Sequence, residues 1–376
     1  MKTSAAAIVF SNLNNSTLSE LTSDRTVAAI PFACRYRLVD IALSNLVNAN
    51  ISKIHLVANY NYRSLMEHIG SGKDWDLARR TGGIRLISPY QTATTPNASL
   101  YAYHMEALIN MKIHIDELKE EHVVLADCDQ LFTMDLKKAI AQHEKTNADV
   151  TFVTEKLSDK FESRHSRLLL ASVKGKVTGV EKCTRYKDPY TDISLNLFIV
   201  RTAYLRKVIK DAIEQGINSF SRYLVQFYKN ANYCIYRHNG YVASVSSFMD
   251  YYRTSIDMAT NEKARESLLM QKGAPIFTRV HNSAPTVYKS SAKVQSSLIA
   301  DDCVIEGTVI NSVISRRVHI AKGAVVKNSV IYPGTYVGPG ASLNCVVTDK
   351  DVYISPNVTI SGNENLPIYI EKERKV

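Results

Sequence analysis

The last quarter of the chain repeats. Four segments, Ile299 to Ile305, Ile320 to Val326, Val337 to Leu343 and Ile354 to Ile360, each open and close on an apolar residue six positions apart. They start 21, 17 and 17 residues apart, and Val313-Ile314 recurs 17 positions on as Val330-Ile331. A spacing of about 17 to 18 residues, three hexapeptides, predicts the coils of a left-handed parallel β-helix, because each coil can bury its apolar positions only against the next. The Pro-, Ser- and Lys-rich stretch around Gly273 to Ser290 predicts a boundary: a first domain over 1–275, a linker over 276–292 and the solenoid over 293–376.

The other end of the chain carries a different signal. Ala5 to Phe10 is a short apolar run closed by an Asn/Ser cluster, which predicts a buried first strand of a doubly wound α/β sheet. The loop after such a strand lies at the carboxyl edge of the sheet, where nucleotide phosphates usually bind. Backbone amides approach an anion there only where glycines leave room. From Ser11 to Leu18 there is no glycine.

Leu18, Arg25, Ala29, Pro31, Phe32, Tyr36, Arg37 and Asp40 carry a resemblance to a family. The stretch resembles the start of the ADP-glucose pyrophosphorylases (glucose-1-phosphate adenylyltransferases), and looks most like their GlgD-type subunit. That family opens with a strand, Gly-Gly-x-Gly-x-Arg-Leu, Arg-x-Lys-Pro-Ala-x-Pro-Phe and Tyr-Arg-x-x-Asp. In this chain the three glycines are Asn12, Leu13 and Asn15, the arginine is Thr17 and the lysine is Val27. The resemblance implies a Rossmann-like nucleotidyltransferase domain with a mixed, mostly parallel sheet, lacking the groups that handle phosphates.

Further along, Leu38 to Ala49 places Val39, Ala42, Leu43, Leu46 and Val47 on one helical face. A strand at Ile54 to Val57 and a helix from about Arg63 follow. The block His68 to Lys73, with Trp75-Asp76-Leu77, Gly82-Gly83 and Pro89-Tyr90-Gln91, again resembles the family, and a Gly-rich surface loop is the other reading. Where the family has Gly-Thr-Ala-Asp-Ala, Pro96 to Tyr103 has no glycine.

The apolar strand Val123-Val124-Leu125 runs into Ala126-Asp127-Cys128-Asp129. Carboxylates at a strand's end suit Mg²⁺, which takes oxygen ligands. The resemblance implies that Asp129 is one of two metal-binding aspartates, and capping of the next element is the other reading. Its counterpart falls in Val242 to Ser247, where Ser244 stands in the aspartate's place. On the sugar-phosphate side, Glu181-Lys182 resembles the family's Glu-Lys-Pro, and Ser194 opens a run like its Ser-Met-Gly-Ile-Tyr-Ile-Phe with Asn196 for the glycine. Glu181, Lys182 and Ser194 are thus candidates for a residual hexose-phosphate pocket; for Glu181 and Lys182 an ordinary surface ion pair is the alternative.

The net charge of +10 raises the question of nucleic acid. From Lys293 onward nine basic residues face eight acidic ones, so the excess belongs to the first three-quarters, where it is dispersed without a basic stripe. Anionic metabolites explain it better. The six cysteines form no C-x-x-C pair, and no stretch approaches the roughly 20 apolar residues of a membrane span, which points to a cytoplasmic protein.

The resemblance implies a catalytically deficient regulatory subunit, joined in a hetero-oligomer, most simply a heterotetramer, to a catalytic subunit that makes ADP-glucose for glycogen. The alternative is a weakly active sugar-nucleotide pyrophosphorylase in its own right. No cofactor is expected beyond Mg²⁺ with any residual nucleotide. An effector such as fructose 1,6-bisphosphate is expected at Arg25, Arg37 and Lys53, with Arg316 and Arg317 closing the site from the solenoid. Pairing of those cations with Asp24 and Asp40 is the other reading.

Overall fold

A computed structural model of the chain describes residues 5–11, 17–88 and 103–376. Asn12, Leu13, Asn15 and the stretch Pro89 to Ala102 lie outside the described residues. Nine strands form one sheet: β1 (Ala5–Phe10), β2 (Lys53–Val57), β3 (Gly83–Ile87), β4 (His122–Asp127), β5 (Val150–Lys156), β6 (Glu162–Val173), β7 (Lys176–Arg185), β8 (Asp192–Arg201) and β9 (Tyr233–Arg237). Their spatial order is β3-β2-β1-β4-β8-β5-β9-β7-β6. From β3 to β4 the pairings are parallel, β8 runs antiparallel to both β4 and β5, and β5 pairs parallel with β9. The sheet is therefore mixed, with its run of parallel strands at one end, from β3 to β4, and mostly antiparallel pairings beyond. β1 and β4 are buried along their whole length, as continuous apolar runs in a covered sheet must be.

The helix Leu38–Asn48 departs from the one-faced pattern. Nine of its eleven residues are buried. Val39, Ala42, Leu43 and Leu46 pack on the sheet, while Leu38 and Ile41 join a second core shared with the solenoid, so two faces are covered and Val47 is only partly buried. Asp40 fixes its start: one oxygen accepts from the Arg37 amide at 2.9 Å and the other meets His68 Nε2 at 2.6 Å. His68 in turn sits edge-on to the buried Trp75. The Gly-rich block is thus scaffold under this helix. Gly83, at φ +81°, needs its missing side chain, since a Cβ would stand 2.7 Å from the Leu77 carbonyl oxygen.

Three five-stranded parallel sheets build the solenoid, with ladders starting at Val287–Tyr288, Lys293–Gln295 and Leu298–Ile299. The first ladder therefore opens inside the stretch read as linker. The 17-residue register holds from His319 to Tyr336 to Tyr353, and Val313-Ile314 pairs with Val330-Ile331 as the repeat requires. The first hexad is out of phase. Ile299 stacks on Ile314 in the third sheet, whereas Ile320, Val337 and Ile354 stack on Ile305 in the first. The coil there is also shorter, since Val304 pairs with His319 fifteen positions on. At one corner Ser296, Asn311, Asn328 and Cys345 all take positive φ, and Asn311, Asn328 and Asn344 bond to one another up the stack. Asparagine tolerates that backbone through its short polar side chain.

The two domains share a core. Leu18, Val27, Ile30 and Phe32 meet Val313, Val330, Tyr332 and Val347, with Tyr251 and Tyr252 of the helix Phe248–Thr260 between them. Tyr252 Oη donates to the Asn328 carbonyl at 2.8 Å. Beneath this seam Arg25 Nη2 meets Asp349 Oδ1 at 2.8 Å, the two side chains being 1% and 2% exposed. No helix among the described residues is long and apolar enough to cross a membrane, and all six cysteines are free.

Candidate functional site

At the carboxyl edge of the sheet, β4 delivers Asp127 and, just past it, Asp129. A two-residue strand, Ala243–Ser244, pairs antiparallel with Gln130–Leu131, which sets Ser244 opposite Gln130. The two residues read as the metal pair are therefore neighbours. Between them lies Gln130, whose Nε2 donates to Asp129 Oδ1 at 3.1 Å and to Ser244 Oγ at 2.9 Å. Arg167 of β6 enters the same place: Nη1 donates to Ser244 Oγ at 3.1 Å, and Nη2 to Gln130 Oε1 and to the Ser194 carbonyl, each at 3.0 Å.

Beside this cluster is a cavity of about 240 Å³ lined by His104, Asp127, Arg167, Lys182 and Asn196, among others. Asn196 takes φ +51° at a bulge in β8, where the pairing with β5 slips between Ser194 and Leu197. It keeps the left-handed backbone that a glycine would supply. His104 Nε2 lies 2.6 Å from Asp127 Oδ1. Burial pushes that imidazole down, but the adjacent carboxylate outweighs it and holds it above its ordinary value. Of the three residues read as a sugar-phosphate pocket, Lys182 lines the cavity. Ser194 is buried behind it, its hydroxyl accepting from the Asn196 amide. Glu181 takes Lys187 and Tyr190 as partners and does not line the cavity.

The remaining positions that the resemblance assigns to phosphate handling are occupied by other contacts. Thr17 Oγ1 donates to the Ser246 carbonyl at 2.6 Å. Val27 is 3% exposed within the shared core. No group of three or more His, Cys, Asp or Glu among the described residues could hold a metal ion.

A second cavity, about 440 Å³, opens between the domains. It is lined by Arg35, Arg37, His68 and His281 from one side and by Arg316, Arg317 and Lys350 from the solenoid. Arg37 Nη1 donates to the Ser64 carbonyl and hydroxyl, and Arg316 Nε meets both oxygens of Asp301 at 3.0 and 3.1 Å. Burial, and then the cations Arg37 and Arg25, push the Lys350 amine down to about 8. Burial likewise lowers Arg37 to about 10 against the pull of Asp40.

Arg25, Arg37 and Lys53 do not form one site. Only Arg37 lines the cleft. Arg25 is fully buried and shared between Asp349 and Asp24. Lys53 begins β2, at the opposite edge of the parallel strands, and pairs with Glu120 at 3.1 Å. Sequence reasoning missed Arg35 and Lys350 in the cleft and Arg167 at the strand edge. Arg167, one of two arginines within Ser163 to Leu170, belongs to no motif that the sequence shows.

A family model described as nucleotidyl transferase matches residues 13–162, and one described as GlmU-like C-terminal hexapeptide matches residues 282–366. The glycogen biosynthesis protein GlgD of Bacillus subtilis (strain 168) is 29% identical, over 94% of this chain and 92% of its own length. A glucose-1-phosphate adenylyltransferase of Mycoplasma mobile is 28% identical over 87% of this chain and 86% of its own. One from Acetivibrio thermocellus is 24% identical over 96% and 84%.

Proposed function

We propose that this chain, similar over most of its length to GlgD and to glucose-1-phosphate adenylyltransferases, is a catalytically deficient, regulatory subunit of that nucleotidyltransferase family, working in a hetero-oligomer with a catalytic partner. The observation that carries the proposal is the loss of charge at three places where phosphate chemistry needs it. Thr17 is turned to a backbone carbonyl, Val27 is buried among apolar side chains, and Ser244 offers a hydroxyl already taken by two donors. Nucleotidyl transfer is driven mainly by positioning and charge stabilisation, and losing one such group often costs roughly 10²–10³ in rate.

The regulatory half of the proposal rests on the interdomain cleft. Arg35, Arg37, Arg316, Arg317 and Lys350 converge there from both domains, as a phosphorylated effector such as fructose 1,6-bisphosphate requires. Such a ligand bridges the domains, and so couples the solenoid to the sheet domain.

The test is co-purification with the catalytic subunit of the same cell, followed by assays of each alone and both together. The chain alone is expected to make little ADP-glucose, and the mixture to respond to the effector more strongly than the catalytic subunit does. Turnover by the chain alone at an ordinary enzymic rate, roughly 1–10³ s⁻¹, would refute deficiency. Slow turnover would favour the alternative, a weakly active pyrophosphorylase in its own right. Separate elution of the two subunits at micromolar concentration would remove the hetero-oligomer.

A further inference from the structure

A third cavity, about 520 Å³, lies at the edge of the sheet opposite Asp127, where β4 begins at His122 and β8 ends at Arg201. It shares no lining residue with the strand-edge cavity or the interdomain cleft. The helix Thr202–Gln215 starts in its wall, with Arg201 as the N-cap residue, no side chain capping it and no acidic residue in its first turn. The Thr202 amide is taken by the Glu121 carbonyl at 2.9 Å. The amides that follow it have no partner inside the helix, so this end is open to an acceptor from outside. Arg201 Nη2 donates to Asn147 Oδ1 at 2.5 Å and to the Ala148 carbonyl at 3.4 Å, which positions the guanidinium. Its Nε and Nη1 make no hydrogen bond among the described residues and remain for a ligand.

The same cavity is lined by two histidines and a carboxylate of opposite character. His143 and His122 are 1% and 7% exposed and stand edge-on, their ring centroids 4.9 Å apart. Thr151 Oγ1 lies 2.8 Å from His143 Nδ1 and fixes that ring. His143 Nε2 and His122 Nδ1 are buried without a hydrogen-bond partner among the described residues. Burial, with His122 and Arg201 adding to it, pushes His143 down to about 3, and burial lowers His122 against the pull of Glu144. Both rings are therefore neutral near pH 7, and a neutral imidazole keeps one nitrogen that accepts. Glu144 has only such a ring beside it, His122 Nε2 at 3.6 Å, so its charge is left uncompensated. Lys119, Arg201 and Arg206 thus share the lining with Glu120, Glu121 and Glu144, a balance of signs that disfavours a polyanion. The volume falls within the roughly 300–1,000 Å³ of small-molecule sites. We propose that this cavity binds a zwitterionic α-amino acid, its carboxylate on the Arg201 guanidinium and the open amides of the helix Thr202–Gln215, its ammonium on Glu144 and the free imidazole nitrogens. This site is separate from the effector cleft and does not rest on the subunit reading.

The experiment titrates the full chain by calorimetry with each of the common L-amino acids, then repeats the tightest binder acetylated on its nitrogen and amidated on its carboxyl. At least one amino acid is expected to bind, and each blocked form to lose about tenfold or more, the size of one charge-assisted bond. Arg201→Gln and Glu144→Gln are each expected to cost a similar factor. Arg201→Gln also removes the bonds to Asn147 and Ala148, so thermal melting of both variants accompanies the titrations. Glu144 is half-exposed and its amide is nearly isosteric, so that variant is expected to melt with the unaltered chain and keeps the test readable if the other does not fold. Acetate and inorganic phosphate serve as anion-only probes and are expected to bind at least about tenfold more weakly than the amino acid. No binding by any amino acid, a blocked form as tight as its parent, acetate or phosphate as tight as the amino acid, or full affinity in Glu144→Gln would each overturn the proposal.

Discussion

The strand-edge cavity and the interdomain cleft are both lined with cations, and they differ in what those cations already hold. At the strand edge Arg167 is committed to Ser244, Gln130 and Ser194, so its charge is positioned before any ligand arrives. In the cleft the cations face one another across a seam: burial first, and then Arg37 and Arg25, drive Lys350 down to about 8, and burial lowers Arg37, with Arg25 and Arg279 adding to the effect. A bound anion at the strand edge gains from preorganisation. A bound anion in the cleft also relieves repulsion that exists without it, and so changes how tightly the two domains hold together. The first arrangement suits recognition and the second suits regulation.

The largest lever on this contrast lies under the cleft. Asp349→Ala removes the main partner of the buried Arg25 and should cost about 3–5 kcal/mol of stability, the usual penalty for stranding one member of a buried pair. Urea denaturation measures it, and a companion Arg25→Met, Asp349→Leu should recover most of the loss because neither charge is left behind. A midpoint unchanged by Asp349→Ala would show that the seam is not what supports the cleft.

Next in size is the effector response. Arg37→Ala should raise the half-saturating concentration of fructose 1,6-bisphosphate for the mixed enzyme by about tenfold or more, with assembly intact by size exclusion. Its control is the smallest effect expected anywhere here: Lys53→Ala, at the far edge and tied to Glu120, should shift the same curve by less than about twofold. Equal shifts from the two would erase the distinction between the cleft and the rest of the basic surface.

Between these falls a dependence on pH. A polyanion in the cleft pulls the Lys350 amine back up from about 8, so binding takes up a proton above that value and affinity falls as pH rises through it. Each unit of recovered pKa is worth about tenfold between the two limits. Calorimetric titration at pH 7 and pH 9 checks it, and Lys350→Met should flatten the difference. The free chain shows the opposite sign: a lysine depressed in the folded state penalises folding at low pH, so this contribution to stability improves from about 8 toward 10.5.

The solenoid was legible because its apolar positions repeat at a period only one architecture explains. What escaped was the phase of its first hexad, since Ile299 and Ile305 stand six apart like the others but step from the third sheet to the first, as Ile331 and Val337 also do. The sheet domain was legible from β1 and from the run ending at Asp129. The grouping of Arg25, Arg37 and Lys53 was not, because proximity in sequence says nothing about which edge of a parallel sheet a strand's first residue occupies. Arg25's partner lies 324 positions away, beyond the reach of any local pattern. Arg167 was invisible for the opposite reason: its identity is ordinary and only its acceptors give it meaning.

That long contact sets a timetable for synthesis. At about 5–20 residues per second, the ribosome takes roughly 15–65 s to travel from Arg25 to Asp349. Throughout that interval the first domain is exposed with a guanidinium whose burial has no counter-charge but the half-exposed Asp24. The final closure of the amino-terminal domain therefore waits for the second-to-last turn of the carboxyl-terminal stack. A chain cut before residue 293, the obvious truncation for separating assembly from nucleotide binding, would lose more than a docking surface. It would leave its first domain permanently at the stage the nascent chain passes through, and open to the quality-control machinery that recognises unfinished proteins.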